Sequence, residues 1–276
     1  MLIAGFPAGS FATNCYVVAP GPGEECVIID PGQDAEPGVT ELLAEYRLRP
    51  VAVLATHGHV DHIWSVAPVC GAQGIPAYIH PADRALLSDP AKGFPLQAGQ
   101  QLFRGLTFTE PDDVIALADG MTLRLAGVEL VVDHAPGHTP GSVTFRTGNQ
   151  GESGGSSPRA GAQGLVTKER GVEAAGGSGG SSPRASTVLF SGDLLFAGSI
   201  GRTDLPGGDY PTILDSLSRV CLVLPDDTQV LPGHGPQTTI GAERAANPFL
   251  AGLAPGPGPS PRSGPAPAAG PKGPGL

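Results

Sequence analysis

Thr56-His57-Gly58-His59-Val60-Asp61-His62 follows the apolar, strand-like run at residues 51–55. Three imidazoles and a carboxylate packed directly behind a buried strand make a dense set of nitrogen and oxygen donors on a loop anchored by a rigid element. A surface histidine tract would not be expected to follow an apolar strand with an aspartate interspersed. The same design recurs downstream. Pro136-Gly137-His138-Thr139-Pro140-Gly141-Ser142 follows the apolar residues 130–132, Phe190-Ser191-Gly192-Asp193 closes another run, and Leu231-Pro232-Gly233-His234-Gly235 closes a fourth. Strand ends that each deliver a His or Asp through a tight, glycine-containing turn build a metal site from residues distant in sequence.

The order HxHxDH, then His, then Asp, then His resembles that of the metallo-β-lactamase superfamily, over nearly the whole chain apart from two low-complexity tracts. The resemblance implies an α+β fold, an αββα sandwich of two mixed sheets with helices on the outer faces and a metal cleft at one edge. It also implies that His57, His59 and His138 hold a first metal, that Asp61, His62 and His234 hold a second, and that Asp193 bridges both. Zinc is the default for this donor set, and iron or manganese suits the same ligands. The usual pattern has a glycine where Ser65 stands here. His134 and His80 lie outside the ligand set; His80, before Pro81 at an expected helix start, reads as structural, and His134 as structural or as a residue beside the site.

Strand-like patterns fall at 14–18, 26–29, 51–55, 77–79, 128–133, 143–146, 188–191 and 228–231, and helical ones at 40–46, 63–70, 81–87, 212–222 and 240–246. Two sheets covered by helices accommodate this mixture better than one doubly wound sheet, and the pattern alone does not decide between them. The chain has 276 residues, of which 42 are glycine and 30 proline, so part of its length is expected outside any core. Residues 148–186 contain GGSSPRA twice and read as a disordered insertion between two strands. Residues 254–276 read as a flexible Pro/Gly/Ala tail, and 1–250 as the single domain that the insertion interrupts.

Formal net charge is -10, and outside those two tracts stand 10 basic and 23 acidic residues, which excludes a nucleic-acid partner. No apolar run is long enough to span a bilayer and no basic residues open a secretory signal, so the expectation is a soluble, cytoplasmic protein without a membrane partner. The four cysteines have no metal or redox spacing and are expected to be reduced and buried.

The segment Leu194 to Pro206, with its Gly201-Arg202-Thr203-Asp204, resembles the short bacterial proteins related to glyoxalase II, as do Thr13-Asn14-Cys15-Tyr16 and Asn247-Pro248-Phe249-Leu250. The resemblance implies hydrolysis of a small-molecule thioester by a metal-bound hydroxide, with Asp61 and Asp193 as catalytic carboxylates. Arg202 is a candidate substrate contact, with an ion pair to Asp204 as the alternative. Little more than one helix is expected after His234, so the glutathione-binding helical domain of glyoxalase II is not expected, and another thiol carrier is open. A mononuclear-iron persulfide dioxygenase, or a lactonase or β-lactamase of the same superfamily, is the competing reading. A variant lacking residues 151–184 is expected to fold and to hydrolyse its substrate as the full chain does. A soluble deletion variant without most of its activity would place that tract in the site.

Overall fold

A computed structural model of the chain describes residues 1–95, 103, 105–147, 166–167 and 187–258. In chain order the first strands are β1 (Leu2–Ala8), β2 (Thr13–Ala19), β3 (Glu25–Ile29), β4 (Arg49–Leu54), β5 (Ala77–Ile79) and β6 (Val114–Ala116). They are followed by β7 (Thr122–Leu125), β8 (Val128–His134), β9 (Val143–Thr147), β10 (Val166–Thr167) and β11 (Val188–Gly192). The last are β12 (Leu195–Phe196), β13 (Ser199–Ile200), β14 (Gln229–Pro232) and β15 (Thr238–Thr239). The helices are α1 (Glu36–Tyr46), α2 (Val60–Ile63), α3 (Val66–Gln73), α4 (Tyr210–Ser216), which runs on into a π turn at Leu217–Cys221, and α5 (Ile240–Ala246).

One sheet has the order β10-β1-β2-β3-β4-β5-β6 and the other β15-β14-β11-β9-β8-β7; both mix parallel and antiparallel pairs. Alternation along each strand sorts its side chains between two cores, because successive residues face opposite sides of a sheet. In β2, Cys15, Val17 and Ala19 join Val39, Leu42 and Val66 of the helices in one core. Tyr16 and Val18 turn the other way, to meet Leu130, Phe145 and Phe190 of the second sheet. In β11, Val188 and Phe190 face that same central core, while Leu189 packs with Ile213, Leu217 and Ile240 of the far helical layer. The result is helix, sheet, sheet, helix, the sandwich implied above. Strands buried on both faces explain why so many read as continuous apolar runs.

Several expectations need correction. Residues 81–87 form no α-helix, only a 3-10 turn at Arg84–Leu86. Asp83 is drawn inward there to accept from Gly58, Thr139 and Gly141, which is incompatible with a helix running over the surface. The helix expected at 63–70 is split into α2 and α3, because the Ser65 amide donates to Pro31 O and its hydroxyl to Glu36. β1 carries Gly5 and Pro7, residues that punctuate strands, and its pattern was overridden by pairing along its whole length with β2. Within the tract 148–186, Val166–Thr167 pairs in parallel with β1, a strand not anticipated; 148–165 and 168–186 lie outside the described residues. Of the expected tail, residues 259–276 lie outside them too, while the Gly256 amide donates to Ser218 O on the π turn that extends α4.

Among the described residues no helix is long and apolar enough to cross a membrane. All four cysteines are free thiols in the interior. Burial pushes Cys26 and Cys70 up to about 12, and it raises Cys15 and Cys221 as well, with Asp30 and Asp133 adding to the effect. Since the thiolate is the reactive form, the native protein is expected to leave a disulfide reagent unreacted at mildly alkaline pH and to titrate four thiols after denaturation. Fast reaction of any one in the native state would contradict this packing.

Candidate metal centre

The sites of ligand delivery are the ends of β4, β8, β11 and β14, gathered at one edge of the sandwich. β4 ends at Leu54 and the chain turns through Thr56 and His57 into α2, which carries Asp61 and His62. His138 follows β8, Asp193 follows β11 and His234 follows β14. The turns leave no room for side chains. A Cβ on Gly233 would collide with Asp193 Oδ1 and His62 Cε1, and one on Gly137 (φ 128°) with the backbone of Ile213. All seven residues singled out from the sequence come together. His57, His59 and His138 form one group, Asp61, His62 and His234 another, and His57, His62 and Asp193 a third, the donor atoms of each lying within 4.8 Å of one another. Asp193 stands between the first two, with Oδ1 3.2 Å from His62 Nε2 and Oδ2 3.6 Å from His138 Nε2 and 3.8 Å from His234 Nε2.

Proton placement shows what this cluster fits. His138 Nδ1 donates to the carbonyl of Arg202 at 2.7 Å, which leaves Nε2 as a lone pair, 2.8 Å from His59 Nδ1. Thr56 Oγ1 donates to Asp30 Oδ2 at 2.6 Å and so can only accept from His57 Nδ1, 3.1 Å away, which leaves His57 Nε2 as a lone pair too. These two lone pairs face each other at 3.2 Å, an arrangement that a cation between them satisfies. His62 Nδ1 lies 2.9 Å from Asp30 Oδ2, so its Nε2 points at Asp61, Asp193 and His234. Asp193 Oδ1 and His59 Nε2 are buried without a hydrogen-bond partner. Five imidazoles and two carboxylates arranged this way fit two divalent cations with mixed nitrogen and oxygen ligands.

The electrostatics agree. Burial first, then the neighbouring imidazoles, hold His57 well below the ordinary range and His59 at about 3, so both present neutral rings. At His62 burial opposes the charge, but Asp193, Asp61 and Asp30 outweigh it and raise the group; three carboxylates demand positive charge at this point. Asp61 and Asp193 are lowered, the pull of His62 and its neighbours exceeding the upward push of burial.

Two carboxylates that the sequence motifs did not single out hold the cluster. Asp30 is 2% exposed and accepts from Thr56 N at 2.7 Å, from Thr56 Oγ1 and from His62 Nδ1. Asp83 accepts from Gly58 N, Thr139 Oγ1 and Gly141 N at 2.6–2.9 Å, tying the His57–His59 turn to the His138 turn. Charge-assisted hydrogen bonds of about 1.5–3 kcal/mol each offset the several kcal/mol that burying a carboxylate costs. Asp30 had a signal, an acid at the end of the apolar residues 26–29, the same design as the ligand strands; Asp83 had none. The Thr13-Asn14-Cys15-Tyr16 stretch reaches the other side. Asn14 Nδ2 and Tyr16 Oη donate to Pro232 O, Asn14 Nδ2 also to Gly235 O, and Thr13 Oγ1 lies 3.3 Å from Asp61 Oδ2.

The cluster opens into a cavity of about 410 Å³ walled by Phe11, Phe94, Phe196, Ile200, Leu205 and Arg202. Arg202 does reach the cavity, but its side chain is 61% exposed and forms a bidentate pair with Asp204 at 2.7 Å. Its buried contribution is the carbonyl that orients His138. Tyr210 is exposed at the start of α4, away from the cavity lining. His134 and His80 stack on each other, 4.2 Å apart at 7°, with His134 Nε2 bonded to Pro140 O, outside the cluster.

A two-sheet sandwich with such a His/Asp cluster at its strand ends defines a metallo-hydrolase class. The chain belongs to the metallo-beta-lactamase superfamily, whose family model matches residues 8–151 and 176–234. An uncharacterized protein of Mycobacterium tuberculosis is 45% identical over 92% of this chain and all of its own length. The hydroxyacylglutathione hydrolase GloC of Haemophilus influenzae is 31% identical over 88% of this chain and 95% of its own. Among solved structures, the B3 metallo-beta-lactamase BLEG-1 is 36% identical with a TM-score of 0.67, covering 91% of this chain and 100% of its own. TTHA1623 in a di-iron-bound form is 37% identical with a TM-score of 0.62, covering 88% and 97%.

Asp30→Asn keeps the shape and tolerates the left-handed backbone at this position (φ 48°). Its amide would face His62 Nδ1 with a donor and drive the imidazole proton to Nε2, where the metal belongs. Metal affinity is expected to fall about 10–100-fold with the fold intact, read by competition with a chelator and by circular dichroism. Unchanged affinity would remove Asp30 from the task of setting the His62 tautomer.

Proposed function

We propose that this chain is a glyoxalase II-like thioester hydrolase with two divalent metal ions, zinc by default and iron or manganese as the same ligands allow. When bound, such a pair lowers the pKa of water and polarises a carbonyl. The observation that carries the reading is the cavity lining: among the described residues, apart from His59, Asp61, His138, Asp193 and His234, the one ionisable group on its wall is Arg202. Every histidine or carboxylate there belongs to the metal cluster, and a guanidinium paired with Asp204 donates no proton. A leaving amine must be protonated to depart, whereas a thiolate, from a thiol of pKa about 8.5, departs unaided.

The chain's own residues complete the chemistry. Asp61, with a side chain 18% exposed at the cavity floor, accepts a hydrogen bond from the attacking water and orients it. Thr13 Oγ1 donates to that carboxylate. Phe11, Phe94 and Phe196 shed water from the cavity, and Arg202, paired with Asp204, is a candidate contact for the substrate at its wall. The GloC relative supports a hydroxyacyl thioester, and the chain is proposed to act on a small molecule rather than on nucleic acid. The likeness to BLEG-1 favours β-lactam hydrolysis as the second reading.

The test compares kcat/KM for S-D-lactoylglutathione, another thiol's hydroxyacyl thioester, a β-lactam and a homoserine lactone, with metal content measured on the same preparation. Oxygen uptake on glutathione persulfide runs beside them. A thioester is expected to be the best substrate, with two metals per chain. A lactam or lactone preferred over every thioester, or oxygen uptake with one iron per chain, would overturn the proposal.

A further inference from the structure

Glu243 and Asn247 sit on and just after α5, 5% and 3% exposed, and neither belongs to the metal cluster. A glutamate this buried persists only when its oxygens are satisfied. Glu243 Oε2 accepts from Gly198 N and from Asn247 Nδ2, both at 2.8 Å, and Oε1 accepts from Thr238 Oγ1 at 2.6 Å. Asn247 Nδ2 also donates to Ser199 O at 3.0 Å, while its Oδ1 accepts from Phe249 N at 3.0 Å. The bonds to Gly198 and Ser199 converge on the hairpin β12–β13, whose strands are two residues each and form a sheet of their own. So short a hairpin does not hold its shape alone. Three of its residues, Phe196, Ser199 and Ile200, wall the cavity, and the Phe196 ring lies 6.2 Å from that of His234.

We propose that Glu243 and Asn247 are positioning residues that clamp the β12–β13 hairpin, so that Phe196 and Ile200 form a fixed apolar wall receiving the organic portion of the substrate beside its thioester. The inference rests on the proposed function and assigns to the Asn247-Pro248-Phe249-Leu250 stretch a task in substrate binding. The wall touches the substrate away from the reacting atoms, so its contribution is the same in the ground and transition states and appears in KM. His234 is held by the Asn14 and Tyr16 bonds to its turn, and the base of the hairpin, next to Asp193 and the Arg202 carbonyl, by the bonds of Ser191 Oγ to Leu195 O and of Gly201 N to Leu194 O, so loosening the tip of the hairpin leaves the metal ligands in place.

Full-length Glu243→Ala, Glu243→Gln and Asn247→Ala are compared with the wild type by amide hydrogen exchange across residues 195–200, metal content, and kcat and KM on whichever thioester the wild type hydrolyses. Glu243→Ala and Asn247→Ala are expected to speed exchange in the hairpin and raise KM about tenfold, with kcat within about twofold and metal content unchanged. Glu243→Gln can still accept from Gly198 and Asn247 through its oxygen and donate to the Thr238 hydroxyl, and is expected to restore slow exchange and a KM within about twofold of wild type. If Glu243→Ala does not fold, Asn247→Ala, which removes the bond to Ser199, and Glu243→Gln carry the comparison. Wild-type exchange in the alanine variants, a fall in kcat or metal content at unchanged KM, or a glutamine variant as impaired as the alanine one would overturn the clamp. A wild type inactive on every thioester overturns the proposed function instead, while the exchange pattern still decides whether the clamp exists.

Discussion

Five imidazoles and two carboxylates cannot share one buried corner without something to hold their lone pairs apart and together. Asp30 and Asp83 meet half of that requirement. Each is an interior carboxylate with three donors, and each joins segments that are far apart in the chain: Asp30 the end of β3 to Thr56 and His62, Asp83 the turn before the 3-10 helix to Gly58, Thr139 and Gly141. Through these bonds the protons of His57 and His62 are sent outward and their Nε2 lone pairs inward. Arg202 does the same for His138 through a backbone carbonyl. The other half of the requirement is positive charge, and the carboxylates around His62 show where it is needed.

The sandwich exists to bring those segments to one edge. Three cores, one between the sheets and one under each helical layer, hold β4, β8, β11 and β14 in rigid register, so that the turns at their ends vary little in position. Short connections with no space for a Cβ then let the donor atoms approach within bonding distance of a common point. Loops carry the chemistry while the strands carry the precision. The wall proposed to receive the substrate is looser in origin, since it comes from a hairpin that leans on α5 and from Phe11 at the exposed turn of β1–β2.

Membership of the superfamily fixes the metal-dependent hydrolase scaffold and leaves the leaving group open, because the same cluster serves many reactions. The proposed reaction rests on the wall of the cavity. Among the described residues that wall is aromatic and aliphatic apart from the metal cluster, Ser199 and Arg202, which is paired with Asp204, and it supports the proposal of a substrate that needs desolvation and polarisation more than protonation.

The sequence by itself determined the seven residues that come together at the cluster and most central strands, since the turns that bear them directly follow apolar runs and two-faced burial writes itself as continuous hydrophobicity; the two-sheet class followed from the resemblance of the motif order and not from the strand pattern. Elements whose local pattern was ambiguous were decided by the tertiary structure. β1, with Gly5 and Pro7, is a strand because β2 pairs with it along its length, and residues 81–87 are a turn because Asp83 is pulled into the interior by three donors. Asp83, Glu243 and the Arg202 carbonyl were silent in the sequence for one reason. Their work is a hydrogen bond to a group tens of residues away, and such a partner leaves no mark on the residues beside them in the chain.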